Sequence, residues 1–432
     1  MKKPTGLSVF RLTASLLLLF AGEPVVASDL SQHYVTSWTS SPQAVWGDDF
    51  IFPTNIPRTL QNQTVRQAIR VSLGGDNFKI EMSNAYGSTP IKLGKVTVGI
   101  PENEKNRYAL KNTVTVTFGG AEEAIILPGA RLLSDNIALK VSPLTNIVIS
   151  AFIPEKTVLQ TFHWDGRQTN FIVPGDQSQA LALSSDRFET TARLFISGLY
   201  VRSEGASAIA VVGDSITDGA TASLNKNARW TDFLAARLRD QNIAVFNAGI
   251  SGARLLSDGM GSNALSRLHR DVISKPGVSH LVVLLGINDI AWPGTLFAPT
   301  SEMPCLNKLI AGFTQLAAQA HLYDVKIVVA TLPPFEGALP GTPLKDYYNE
   351  KKNILRLALN NWIRNADVFD GVIDADKILR APDSPNRMKK AFDSGDHLHP
   401  GDKGNKALAY GFNTNVFTNQ TKIKITETGV RD

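Results

Sequence analysis

Ser215 lies in Val211-Val212-Gly213-Asp214-Ser215-Ile216-Thr217-Asp218-Gly219-Ala220, where an apolar run stops at a glycine and a hydroxyl follows. A serine hydroxyl is a weak nucleophile until a base takes its proton. Three further segments hold residue types that could complete such chemistry. Asn247-Ala248-Gly249-Ile250-Ser251-Gly252-Ala253-Arg254 offers glycine N–H groups that a ligand can approach without a Cβ in the way. Gly286-Ile287-Asn288-Asp289 offers a side-chain amide able to donate to a developing negative oxygen. Asp393-Ser394-Gly395-Asp396-His397-Leu398-His399-Pro400 places an acid three residues before an imidazole, so Asp396 could orient His399 as a general base. Each segment alone reads equally as a polar turn, a helix cap or half of a metal site. Their joint occurrence after separate strands is what points to acyl transfer.

Those strands set the frame. Residues 28–205 alternate with period two, as in Val65-Arg66-Gln67-Ala68-Ile69-Arg70-Val71, Phe78-Lys79-Ile80-Glu81-Met82 and Val114-Thr115-Val116-Thr117-Phe118. Gly74-Gly75 and Gly119-Gly120 punctuate them, which predicts an antiparallel β-sandwich or jelly roll. After residue 205 the period changes. Short apolar strands at 208–212, 243–246, 281–285, 325–330 and 368–373 alternate with helices at 229–240, 306–321 and 346–364. That pattern predicts a parallel sheet covered on both faces, an α/β three-layer domain, with chemistry at the strands' carboxyl ends.

Gly213-Asp214-Ser215-Ile216-Thr217-Asp218-Gly219 resembles block I of the GDSL, or SGNH, hydrolases, and the later segments resemble that family's other blocks in order. The resemblance implies Ser215 as nucleophile, His399 as base and Asp396 as its orienting acid. It implies an oxyanion hole made by the Ser215 N–H, the Gly252 N–H and the Asn288 side chain. Gly249 competes in block II; Gly252 is preferred because it stands five after Asn247, the family's usual spacing. Thr217 occupies the last glycine of a GxSxG elbow, which argues against an ordinary α/β-hydrolase. Asn62-Gln63-Thr64-Val65-Arg66-Gln67, Ser83-Asn84-Ala85-Tyr86-Gly87 and Arg229-Trp230 resemble the large secreted XynE-like subgroup, associated with xylan degradation. On this reading residues 206–432 form an SGNH/GDSL catalytic domain, and no cofactor or metal is implied. The DxxH of Asp396 and His399 lacks a metal-binding partner such as HExxH.

Composition narrows the classes. The chain has 432 residues, 43% hydrophobic and 19% charged, enough for two domains. Lys2, Lys3 and Arg11 precede the apolar Leu12–Ala21 stretch, and Val25-Val26-Ala27 offers a small-residue cleavage site. Residues 1–27 therefore read as a signal peptide, too short for a stable membrane anchor. The protein is expected to be exported, periplasmic or extracellular. Removing 1–27 lowers the formal net charge from +5 to +3, with no basic stripe to bind nucleic acid. Cys305 is the single cysteine, expected to be a buried or inert thiol.

The expected partner is a small-molecule or polysaccharide ester. The leading function is a secreted serine esterase removing acetyl or similar groups from polysaccharide. A lipase or arylesterase is the runner-up, and a noncatalytic carbohydrate-binding protein is the alternative of another class. Arg229-Trp230 reads as an ion pair beside a core indole, Arg254 and Asp289 as loop braces, and His163-Trp164 as a sandwich-edge pair, with a sugar platform at the active-site rim as the other reading.

Overall fold

The computed structural model describes residues 33–103 and 109–417. The expected signal segment 1–27 lies outside them. Among the described residues, no helix is long and apolar enough to cross a membrane.

The front half is antiparallel. Tyr34–Thr39, Ile196–Arg202, Phe78–Ser83 and Arg131–Leu133 form one sheet in that order. Phe188–Thr190, Asn170–Pro174, Gln63–Arg70, Asn146–Ile153, Val96–Pro101 and Leu110–Val116 form a second. Alternation decides which side chains turn inward. Val65 and Ile69 share a face with Ile147 and Ile149, and Ile69 pairs directly with Ile147. Phe78, Ile80 and Met82 supply the facing layer, and all seven are buried in one cluster. This is a β-sandwich.

The second half is a five-stranded parallel sheet: β1 (Ser207–Gly213), β2 (Ile243–Asn247), β3 (Val278–Leu284), β4 (Lys326–Ala330) and β5 (Gly371–Ile373), in the order β2-β1-β3-β4-β5. Both faces are covered, so the strand centres are runs of consecutive apolar residues, as in Ala208–Val212 and Leu281–Leu284, rather than apolar at every second position. Ala208, Ala210 and Val212 of β1 join the cluster shared with the sandwich. Ile209 and Val211 face the opposite layer. That layer contains α2 (Trp230–Leu238), α7 (Ala375–Leu379) and α8 (Asp402–Tyr410), while α5 (Leu306–His321) and α6 (Glu350–Asn365) bury their apolar faces on the sandwich side of the sheet. The remaining short helices are α1 (Ser215–Asp218), α3 (Ala264–Leu268) and α4 (Ile287–Ala291). Strand order reverses between β1 and β3, and a crevice at such a switch point is where open α/β sheets bind ligands.

The halves share polar as well as apolar contacts. Thr36 donates from N–H and hydroxyl to the Pro276 carbonyl at 3.0 and 2.8 Å. Buried Lys275 reaches Glu81 at 2.7 Å, and Tyr200 donates to the same carboxylate at 2.6 Å. Burial opposes ionisation of Glu81, but the charge and hydrogen bond of Lys275 hold its pKa below the usual range.

Three expectations change. The helix read from Asp346 begins at Glu350, capped by the Asn349 side chain accepting from Lys352 N–H; residues Lys345–Tyr347 form a separate 3-10 turn. The last strand is shorter than 368–373, because the Asp370 carboxylate accepts from Ile327 N–H at 2.8 Å and holds the preceding residues as a turn. Cys305 is exposed rather than buried, since it occupies the N-cap of α5 where the chain enters from the surface.

Candidate active site

β1 ends at Gly213, and a Cβ there would lie 2.2 Å from the Thr217 hydroxyl. The missing side chain lets α1 begin at once. Asp214 caps it, accepting from Ile216 N–H at 3.0 Å, and Gly219 ends it at φ 106°. Ser215 is thus held at the strand's carboxyl end, at the first helical position, where its N–H has no intrahelical acceptor. Its Oγ lies 2.7 Å from His399 Nε2.

His399 is oriented within its own loop. Asp396 Oδ2 lies 2.6 Å from Nδ1, while Oδ1 accepts from the N–H groups of His399 and Leu398 at 2.8 and 2.9 Å. A carboxylate only accepts, so Nδ1 carries the proton and Nε2 presents its lone pair to Ser215. Burial opposes the Asp396 charge, but the bond and charge of His399 and the two backbone donors hold its pKa well below the usual range. His397 turns elsewhere: it adopts φ 61°, is half exposed and lies 2.5 Å from Asp393 through Nδ1.

The two candidate glycines separate by what their backbone does. Gly249 N–H is already spent on the Asn247 Oδ1 at 2.8 Å, and a Cβ on it would meet Asp218 N at 2.6 Å. Gly249 lets α1 pack close. Gly252 lines the cavity in front of Ser215 at φ 71°, and a Cβ there would strike Met260. Asn288, on the first turn of α4 and 3% exposed, lines the same cavity. Its Nδ2 donates to the Ala253 carbonyl at 3.0 Å and its Oδ1 accepts from the Tyr347 hydroxyl at 2.6 Å. These two bonds fix the amide orientation and leave one N–H for a ligand. Behind it Asp289 accepts from Leu255 and Leu256 N–H at 2.7 and 2.9 Å, bracing the Gly252 loop. Burial pushes Asp289 up to about 6 and Asp214 up to about 7. Arg254 lies over the Trp292 ring at 4.9 Å, so it too serves the loop. Arg229 pairs with Asp232 at 3.8 Å beside buried Trp230.

The cavity has a volume of about 440 Å³ and is walled from both halves. Ile51, Phe52 and Trp164 come from the sandwich side; Met260, Trp292, Leu296 and Phe297 come from the α/β side. Phe52 and Trp164 stack at 5.4 Å, Trp292 and Phe297 at 4.4 Å, and Phe52 meets Phe297 at 5.6 Å across the division. The expectation that His163-Trp164 is a sandwich-edge pair is corrected here. Trp164 is a cavity wall, and His163 is buried against Asp218 at 2.9 Å. Pairing of His163 with an acid 55 residues away leaves no local sequence signal. Tyr347 was missed because a helix reading of 346–364 spends it on helical periodicity. Ile51 and Phe52 were missed because only tertiary folding brings them to the serine, whereas the rim reading of Trp164 had placed that ring near it.

A serine hydroxyl bonded to an acid-oriented imidazole, facing N–H donors in an apolar cavity, is the apparatus of a carboxylic ester hydrolase. Residues 209–412 match the family model of the GDSL-like lipase/acylhydrolases. Solved structures similar to this chain include a family two carbohydrate esterase from Cellvibrio japonicus, 12% identical, with a TM-score of 0.35 over 88% of this chain and 92% of that one. A GDSL-like lipase from Bacteroides thetaiotaomicron VPI-5482 is 16% identical, with a TM-score of 0.34 over 47% and 84%. The acetyl xylan esterase AlAXEase is 17% identical, with a TM-score of 0.33 over 47% and 96%. No curated protein matches the chain. The family match therefore lies on residues 209–412, the part of the chain that holds the parallel sheet and Ser215.

Proposed function

We propose that the chain is an exported serine esterase acting through an acyl-enzyme on esters that carry an apolar acyl or aryl group. Ser215 Oγ attacks the ester carbonyl while His399 Nε2 takes its proton and Asp396 stabilises the imidazolium. The oxyanion accepts from Ser215 N–H, Gly252 N–H and the free N–H of Asn288. His399 then protonates the departing alkoxide. Water attacks the acyl-enzyme with His399 again as base, which releases the acid and restores the serine.

The observation that carries the substrate reading is the cavity lining. Beyond the reacting groups its walls are mainly aromatic and aliphatic. A sugar needs hydrogen-bond partners around its ring, and a lone acetyl group has no use for walls of this size. This moves the preference from acetylated polysaccharide to the lipase or arylesterase alternative. A buried methylene is worth about 0.8 kcal/mol, roughly a fourfold gain in kcat/KM per added carbon while the chain stays inside the cavity. Kinetics on p-nitrophenyl acetate, butyrate and hexanoate, beside 1-naphthyl acetate and acetylated xylan, test this. Rising kcat/KM with chain length, or selective turnover of the naphthyl ester, supports the reading. Preferred release of acetate from xylan, with kcat/KM falling as the acyl chain lengthens, would return the polysaccharide assignment.

A further inference from the structure

His163 belongs to the sandwich half, at the end of the strand Thr161–His163, yet its ring is buried against the helix that carries Ser215. Nδ1 lies 3.0 Å from the Ser41 carbonyl oxygen, which only accepts. Nε2 lies 2.9 Å from Asp218 Oδ1. The other carboxylate oxygen, Oδ2, accepts from Ser251 N–H at 2.9 Å and from Ser251 O–H at 2.8 Å. A carboxylate with that many donors is ionised, so both ring nitrogens donate and the ring is an imidazolium. Burial opposes the Asp218 charge, but the charge and hydrogen bond of His163, with Arg229 and Ser251 behind them, keep the pKa below the usual range.

Asp218 ties together the two segments that carry the proposed backbone donors of the oxyanion site, the Ser215 helix and the Ser251-Gly252 loop. It closes α1, donating its own N–H to the Asp214 carbonyl at 2.8 Å. Ser251 immediately precedes Gly252, so the peptide that carries the Gly252 N–H begins at a residue tied to Asp218 by two bonds. We propose that His163 is a positioning residue for the oxyanion site: paired with Asp218, it fixes Ser251 and so aims the Gly252 N–H, making the sandwich half part of the catalytic apparatus. The inference rests on the esterase reading above. Without the imidazolium, Asp218 would be a buried carboxylate short of its main counter-charge. It would draw in water or a proton, and either loosens its hold on Ser251. A donor that drifts from the oxyanion weakens binding of the transition state more than of the ground-state ester, so the loss falls on kcat.

The test compares wild type, His163→Gln and Ser251→Ala on p-nitrophenyl butyrate, with thermal melts and with inhibition by a trifluoromethyl ketone, whose hydrated-adduct oxyanion mimics the tetrahedral intermediate. Gln keeps one donor toward Asp218 without the charge. Ser251→Ala removes only the hydroxyl link and leaves the ion pair, so it reports even if the histidine variant fails to fold. We expect kcat to fall on the order of 10-fold to 100-fold in folded His163→Gln and several-fold in Ser251→Ala, with KM within about threefold of wild type. Ketone inhibition should weaken by the same factor as kcat. Unchanged kcat in folded His163→Gln, or in Ser251→Ala where the first does not fold, overturns the proposal. So does a loss confined to KM or to the melting temperature. Wild type that turns over no ester indicts the esterase reading instead.

Discussion

Asn288→Ala separates an oxyanion donor from a residue that merely lines the cavity. In the folded protein the Asn288 amide spends one N–H on Ala253 and its oxygen on Tyr347, leaving a single N–H toward the ligand. Alanine removes that one donor. Loss of one oxyanion donor costs about 2.7–4 kcal/mol of transition-state stabilisation, or roughly 10²–10³ in kcat. The same change leaves the Ala253 carbonyl and the Tyr347 hydroxyl without their partner in a buried site, at about 1–3 kcal/mol each in stability. The variant should therefore melt earlier and still be folded at 25 °C. Tyr347→Phe isolates one orienting bond: the amide stays, held by its Ala253 bond alone, so kcat should fall by less than in Asn288→Ala. Steady-state kinetics on p-nitrophenyl butyrate at temperatures below both melting transitions give kcat and KM separately. A rise in KM with unchanged kcat would refute the reasoning, because it would mean that Asn288 binds ground state and transition state alike.

The two histidines of the 393–400 loop should behave oppositely: His399→Ala should lose at least about 10³-fold in kcat, whereas half-exposed His397→Ala should stay within about threefold, measured on purified proteins. Active His399→Ala beside a dead His397→Ala would undo the assignment of the base. Asp214 has its folded pKa raised to about 7 from an ordinary 3.8, so its contribution to stability is fully present below pH 4 and is lost as pH rises toward 7. Between pH 5 and pH 8 that loss is about 3 kcal/mol, and Asp214→Asn, which keeps a capping oxygen, should remove it. Urea denaturation of both proteins at the two pH values measures the difference; an unchanged pH dependence would mean that Asp214 is not the group responsible.

Local chemistry was readable where the residues that meet are also close in sequence or recur at strand ends. Asp396 and His399 lie in one loop, and Ser215 and Asn288 follow directly on apolar strands, so the strand-end rule brings them together. The shift from period two to alternating apolar strands and helices foretold the two kinds of sheet. What stayed hidden depends on chain segments that only the tertiary fold juxtaposes. Phe52 reaches the serine from the sandwich, His163 finds Asp218 across the division, and Tyr347 reaches Asn288 because the helix starts four residues later than its periodicity suggested. The choice of Gly252 over Gly249 rested on family spacing alone. The structure adds a physical reason, since Gly249 has already committed its N–H.

The central claim is that Ser215 forms the covalent intermediate. Intact-mass and peptide mass spectrometry after treatment with a fluorophosphonate tests it most directly. The account predicts one adduct per chain, on the peptide containing Ser215, formed in step with loss of esterase activity and absent from folded Ser215→Ala. An adduct on another residue that tracks the loss of activity, or near-wild-type turnover by Ser215→Ala, would contradict it.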